Sequence, residues 1–257
     1  MEEPLLIERQ GATWLFVLNR PTRLNSVNAA MSRAMNQGLS EFQADREALV
    51  GIVTGSGDRA FSTGADLKEV AAGGLADIVE AEPGGFAGAR HPRSKPLIAA
   101  VNGLALGGGF EIALACDLIV ASAQAEFGLP EVSRGFLAGA GGLQRLPRLI
   151  GYARAMEVIL AGARIDAQSA HGLGLINVVT DPDDLMDVAK QMAARIEAGA
   201  PLAIQESRKV ARRAVEDSES AAWDCTDEAW EVVLSSDDYR EGVAAFTEKR
   251  DPEWTGS

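Results

Sequence analysis

Two rhythms of apolar positions run along this chain. Residues 5–18 (LLIERQGATWLFVL) are rich in β-branched and aromatic side chains in an alternating pattern, which predicts two short strands about a turn at Gly11. From Asn28 to Phe42 the spacing changes to four, with Met31, Met35 and Leu39 on one helical face. Val50–Thr54, Leu97–Val101 and Leu118–Ser122 are short apolar runs of strand length, and Gly107–Cys116 opens a helix after the second of them. Residues 72–95 are small, Gly-rich and polar, predicting a mobile segment with partial helix. From Ser169 onward the rhythm is helical, over 169–173, 182–198, 202–216, 218–234 and 237–248. Strands alternating with helices predict an α/β core over residues 1–198, and the helical remainder predicts an appended region over 199–257, with Gly199 and Pro201 at the break.

Composition narrows the function. The 257 residues carry 24 basic and 37 acidic side chains, a formal charge of −13. That balance disfavours nucleic acid and anionic membranes, which need a basic face. Local binding of an anion through backbone amides or a few basic groups stays open. The basic cluster Arg208, Lys209, Arg212 and Arg213 reads as a solvated helix face. Cys116 and Cys225 form neither a disulfide framework nor a metal set. The longest apolar region, 97–121, is interrupted by Glu111 and Asp117, so it reads as core and not as a membrane span. Met1-Glu2-Glu3-Pro4 lacks the basic start of a secretory signal, and the expected location is cytoplasmic.

Val101–Asp117, VNGLALGGGFEIALACD, is where chemistry is expected. A strand runs into three glycines and then into an apolar helix holding one acid, Glu111. Glycines at such a turn leave first-turn amides free at the positive end of the helix, suited to an oxygen that gains charge. In isolation a Gly-Gly-Gly turn is more often a packing device. Glu111 alters that balance, because a carboxylate among Phe110, Ile112, Ala113 and Leu114 is costly to bury without a partner or a task. Its bland readings are a buried ion pair or a cap on another backbone segment. Glu131, in FGLPEV (127–132), is a second acid with apolar flanks, and two such acids have the makings of a general acid–base pair. Their spacing of twenty does not bring them together, and Glu131 also fits a helix N-terminus. Phe61–Lys68 (FSTGADLK) reads as a strand end, a turn and a helix capped by Asp66. His91 and His171 read as surface or structural residues, and no phosphate loop, zinc helix or nucleophile elbow occurs.

Together these segments resemble the enoyl-CoA hydratase (crotonase) family. The pattern is carried by LNRPTRLNSVN (18–28), FSTGADLKE (61–69), PLIAAVNGLALGGGFEIALACD (96–117), FGLPEVSRGFLAGAGGLQRLPRLIG (127–151), ARIDAQSAHGLGLINVV (163–179) and AFTEKRDPEW (245–254). The resemblance implies a spiral of ββα units with a helical C-terminal region that assembles trimers or dimers of trimers. It implies an oxyanion hole from the amides of Ala65 and Gly108, and an acyl-CoA substrate running past Ala65, Asp66, Leu67 and Lys68 with Arg23 near its phosphates. Phe246 and Lys249 would close the CoA site from a neighbouring subunit. Glu111 and Glu131 would hydrate a trans-2-enoyl-CoA to a 3-hydroxyacyl-CoA, with coenzyme A present only as part of the substrate and no metal or redox cofactor. Ser26 and Ala138 depart from the family's usual Ala and Pro. Several segments are also similar to carnitinyl-CoA dehydratases, which leaves carnitinyl-type dehydration, double-bond isomerisation through the same enolate, or a non-catalytic CoA-binding role as alternatives.

Overall fold

A computed structural model describes residues 3–257; Met1 and Glu2, part of the acidic N-terminus, lie outside the described residues. Ten strands form two sheets: β1 (Leu5–Gln10), β2 (Thr13–Leu18), β3 (Val50–Gly55), β4 (Ala60–Ser62), β5 (Leu97–Val101), β6 (Leu104–Leu106), β7 (Leu118–Ser122), β8 (Glu126–Gly128), β9 (Arg164–Asp166) and β10 (Val178–Thr180). The first sheet has the order β1-β2-β3-β5-β7-β10 and the second β4-β6-β8-β9. Successive strands step from one sheet to the other: β3 to β4, β5 to β6, β7 to β8. A helical segment follows each pair, so the chain winds as a spiral of ββα units. Within the second sheet β4, β6 and β8 are parallel neighbours. Their carboxyl ends therefore lie side by side.

Alternation along β2 explains the layers. Trp14, Phe16 and Leu18 enter the main core, where Trp14, Phe16 and Phe42 pack with ring centroids 5.8–6.1 Å apart. Leu15 points the other way and, with Ile52, Ile98 and Val120, meets Leu185, Ala189 and Ala193 of helix Leu185–Glu197. A largely parallel sheet needs both faces covered, and these two layers cover it. The helix predicted over 28–42 is observed as Ala29–Ala44, with the Asn28 side chain capping the Met31 amide.

The segment 72–95 contains the expected partial helix, at Leu75–Val79 and in the 3-10 turn Phe86–Gly88. Its polar composition also predicted a mobile stretch, yet Ile78, Phe86, Ala87 and Ala89 are buried in the core. Two polar side chains of helix Ala29–Ala44 hold it there. Ser32 Oγ donates to the Ile78 carbonyl at 2.7 Å and accepts from the Ala87 amide at 2.9 Å. Asn36 accepts from the Gly84 amide at 2.7 Å and donates to the Gly85 carbonyl at 2.8 Å. Buried backbone without regular structure requires such partners. His91 is likewise a buried structural residue, its Nε2 paired with Ser40 Oγ at 2.9 Å.

After Glu197 the helix ends, and Pro201 occupies the first turn of helix Pro201–Glu216. Helices Glu219–Ser235 and Asp237–Glu248 follow. The basic cluster of helix Pro201–Glu216 is not uniformly solvated, which corrects the reading from sequence. Arg208 pairs with Asp117 at 2.8 Å and donates to the Arg93 carbonyl at 2.8 Å, docking the helix on the core. Lys209, Arg212 and Arg213 pair with acids of their own helix or its C-cap. Among the described residues no helix is long and apolar enough to cross a membrane.

Candidate active site

The carboxyl ends of β4, β6 and β8 each deliver one part of the site. β4 leads into the turn Thr63–Asp66, β6 into Gly107 and helix Gly108–Ala115, and β8 into the short 3-10 turn Pro130–Arg134. This is why two acids twenty positions apart converge. The β6–β8 pairing continues into a bond from the Gly107 amide to the Gly128 carbonyl at 2.8 Å. That contact sets the turn bearing Glu131 against the start of the helix bearing Glu111.

Each glycine of the Gly-Gly-Gly turn has its own reason. Gly107 has φ +56°, and a Cβ there would stand 3.0 Å from Glu131 Oε1. A Cβ on Gly108 would meet the Phe86 ring at 2.5 Å. A Cβ on Gly109 would overlap the backbone carbonyl of Ser62 at the end of β4. A Cβ on Gly64 would lie 2.8 Å from the Gly108 nitrogen, so the Ala65 turn and the helix start are in contact. The amides around Ala65 are used: Gly64 donates to Ser62 Oγ at 3.3 Å and Asp66 to the Val27 carbonyl at 2.8 Å. The Ala65 and Gly108 amides donate to no other group among the described residues. Two unspent donors beside each other at a helix N-terminus form a place for a developing negative oxygen.

Glu111 is 3% exposed and accepts a hydrogen bond from the Gly142 amide at 2.8 Å. The capping role foreseen as a bland alternative is therefore real, but it occupies only part of the carboxyl group. Burial pushes Glu111 up to about 7; the Gly142 amide and Arg145 oppose that shift, and the charge of Glu131 adds to it. Burial raises Glu131 as well, with its own backbone amide and Arg134 opposing. Glu131 Oε2 is buried and has no protein partner. An orphaned carboxyl oxygen on an acid whose charge is felt by buried Glu111 is expensive as scaffolding and useful as chemistry.

Asp66 caps helix Leu67–Ala71 through the Lys68 amide at 3.1 Å. Burial raises its carboxyl, but the pair with Arg20 at 2.7 Å and the capping amides leave it below its ordinary value. Leu67 and Lys68 are exposed, and Arg23 is exposed on the adjoining turn Pro21–Arg23. That turn is tied to the site by the bond from the Thr63 amide to the Leu24 carbonyl at 3.2 Å. Asn25, fully buried at φ +51°, secures it by accepting from the Arg20 amide and donating to the Ser56 and Ala60 carbonyls. Sequence reasoning missed Arg20, Arg145 and Phe86; only the Arg20–Asp66 charge complement offered a signal. Ser26 receives the Arg20 guanidinium on its carbonyl at 2.6 Å and its hydroxyl at 3.4 Å, so its departure from Ala sits beside that pair. Among the described residues no group of three or more His, Cys, Asp or Glu side chains could hold a metal ion.

The profile of the Enoyl-CoA hydratase/isomerase family matches residues 8–257. The chain belongs to that family. It is 38% identical to the carnitinyl-CoA dehydratase of Salmonella arizonae over 262 aligned positions, covering all of both chains. It is 37% identical to the short-chain-enoyl-CoA hydratase of Clostridium acetobutylicum, covering 96% of this chain and 95% of that one. The structure of an enoyl-CoA hydratase from Mycobacterium tuberculosis H37Rv superposes with a TM-score of 0.94 at 41% identity, over the full length of both. That of a carnitinyl-CoA hydratase from Mycobacterium avium gives 0.80 at 41% identity, again over both full lengths. The expected spiral fold and the assignment to an enzyme of hydro-lyase type both stand on these likenesses.

Proposed function

We propose that this enzyme adds water reversibly across the double bond of a trans-2-enoyl-CoA, giving a 3-hydroxyacyl-CoA. The observation that carries the reading is the convergence of two carboxyl groups, both raised by burial, on a turn whose neighbouring amides are unspent. The Ala65 and Gly108 amides take the thioester oxygen and stabilise the enolate as its charge develops. Glu111, ionised, accepts a proton from water as the oxygen attacks C3. Glu131, protonated, delivers a proton to C2. The proton gained by Glu111 then restores Glu131, so the cycle balances with water as its only co-reactant. Coenzyme A enters only as part of the substrate, lying past Ala65–Lys68 with Arg23 near its phosphates.

Loss of the enoyl absorbance of crotonyl-CoA or a longer enoyl-CoA, with a mass gain of one water, tests the reading; unchanged mass would indicate isomerisation instead. The pH profile is a second test. Glu111 must be ionised to act as the base, so kcat/KM is expected to rise through an acid limb near its value of about 7, a limb that belongs to the coupled pair. A flat profile from pH 5 to 9 on a substrate limited by chemistry, both bounds taken about two units either side of that value, contradicts the assignment.

Carnitinyl-type dehydration is the second reading, favoured by the relatives named carnitinyl-CoA dehydratase. It is the same chemistry run backwards on a different acyl group. Enoyl-CoAs differing in length, branching and charge separate the two. For assembly, we infer a trimer or dimer of trimers in the cytoplasm. Trp223, Trp230 and Phe246 stand exposed on the C-terminal helices, which supports an interface there; in such an assembly Phe246 and Lys249 would close a neighbour's CoA site. Light scattering giving a monomer mass would refute the assembly.

A further inference from the structure

Arg145 lies outside the acid pair and its amides, yet it touches both loops that enclose them. It belongs to helix Gly142–Ile150, whose first amide holds Glu111. Its guanidinium lies directly over Gly141, where any Cβ would overlap it and where φ is +123°. From there Nη2 donates to the Ala89 carbonyl at 2.7 Å and Nη1 to the Ala140 carbonyl at 3.2 Å. Ala89 belongs to the segment that places Phe86 on Gly108, and Ala140 to the turn that presents the Gly142 amide. The Arg145 backbone amide closes the same turn by donating to the Gly141 carbonyl at 2.9 Å.

The charge of Arg145 is also unusual. It takes part in none of the ion pairs among the described residues. Its cationic neighbours are Arg93 from the segment before β5 and Arg212 from helix Pro201–Glu216, with Glu111 as the opposing influence. Arg93 and Arg212 are occupied elsewhere, with Asp117 and Glu216 respectively. Glu111 in turn faces Glu131 from the Pro130–Arg134 turn, the Gly142 and Ala140 amides, and Arg145. A half-buried cation kept among like charges with no carboxylate of its own is poor economy for stability alone.

We infer that Arg145 is a positioning residue, clamping the carbonyls of Ala89 and Ala140 so that the Gly142 amide and its own positive field hold Glu111 in place as the ionised base. The inference rests on Glu111 being that base. Its effect runs through Glu111 and not through contact with substrate. Burial and Glu131 favour the protonated form of Glu111, and Arg145 offsets them.

The test compares the full-length protein with R145Q and R145K, using [5-13C]glutamate labelling to follow the Glu111 carboxyl, assigned by its loss in E111Q. In R145Q the Glu111 titration is expected to move upward by about one pH unit. The acid limb of kcat/KM should move with it, so that kcat/KM for crotonyl-CoA at pH 7 falls about fivefold, with the shortfall narrowing as pH rises. R145K keeps the charge but reaches both carbonyls less well; its titration should stay near wild type while kcat falls about threefold or more. A purely structural Arg145 would lower the melting temperature and leave the titration and the acid limb where they are, which overturns the inference. R145K with wild-type kcat would equally remove the clamp, and R145K carries the test if R145Q does not fold. The titration needs no turnover. If wild-type protein hydrates none of the enoyl-CoAs, the proposed function fails while the link between Arg145 and Glu111 is still decided.

Discussion

Replacing Glu111 or Glu131 by Gln is expected to lower kcat/KM for enoyl-CoA hydration by about 10²-fold or more in each case. The substitution keeps shape and polarity and removes only the ability to exchange a proton. In Glu111→Gln the side-chain oxygen can still accept the Gly142 amide, now at 2.8 Å from the carboxylate, so the turn and its helix should persist. In Glu131→Gln the orphaned Oε2 position becomes an amide or carbonyl without changing the backbone of the Pro130–Arg134 turn. Both proteins should therefore retain their thermal midpoint within a few degrees, about the change produced by 1 kcal/mol in a chain of this size. On the proposed mechanism the two acids act on one water, so the double variant should be little worse than the weaker single one, and not the product of both losses. Either single variant keeping activity within about threefold of wild type removes that residue from the proton transfer.

How much of this site the sequence discloses depends on the range of the interactions involved. Glu111 is legible because a lone acid in FEIALA is anomalous whatever the fold. Asp66 is legible as a local cap and the Gly107–Gly109 turn through its glycines, whereas the pairing of the Ala65 and Gly108 amides is supplied only by the family resemblance. The strands β3, β5 and β7 show as apolar runs, but β4, β6 and β8 are only three residues each, too short for any period to register. The second sheet is therefore hidden, and with it the alignment of carboxyl ends that unites the parts. Helices Gly142–Ile150 and Tyr152–Ala161 were also unforeseen, since Pro147 lies inside one and Gly151 joins them. Phe86 is concealed by the small polar residues around it; its burial is imposed by Ser32 and Asn36, some fifty positions away. Arg145 is illegible for the same reason, as its acceptors are backbone carbonyls whose place only the folded chain defines.

That dependence on close approach gives the second large effect, on the fold itself. Gly109→Ala should destabilise the protein by about 3 kcal/mol, at the upper end of overpacking costs, because the new methyl group falls on the Ser62 carbonyl and both partners are backbone. Neither can turn aside as a side chain would. Ser62 ends β4, and its hydroxyl is already committed to the Asn25 carbonyl at 2.8 Å. Gly109 lies in the first turn of the helix whose Phe110 packs on Phe127 of β8 with centroids 5.3 Å apart. Moving the helix away to admit the methyl would pull Gly108 from the Ala65 turn, so the residual folded protein should also lose most of its activity. Gly172→Ala is the matched control, at the end of helix Ala167–Gly172 with nothing within 4 Å of the added carbon, and should change stability by less than about 1 kcal/mol. Urea unfolding of the three proteins decides it. Gly109→Ala as stable and as active as Gly172→Ala would mean that the helix start and β4 are not held in contact, and the paired amides would lose their structural basis.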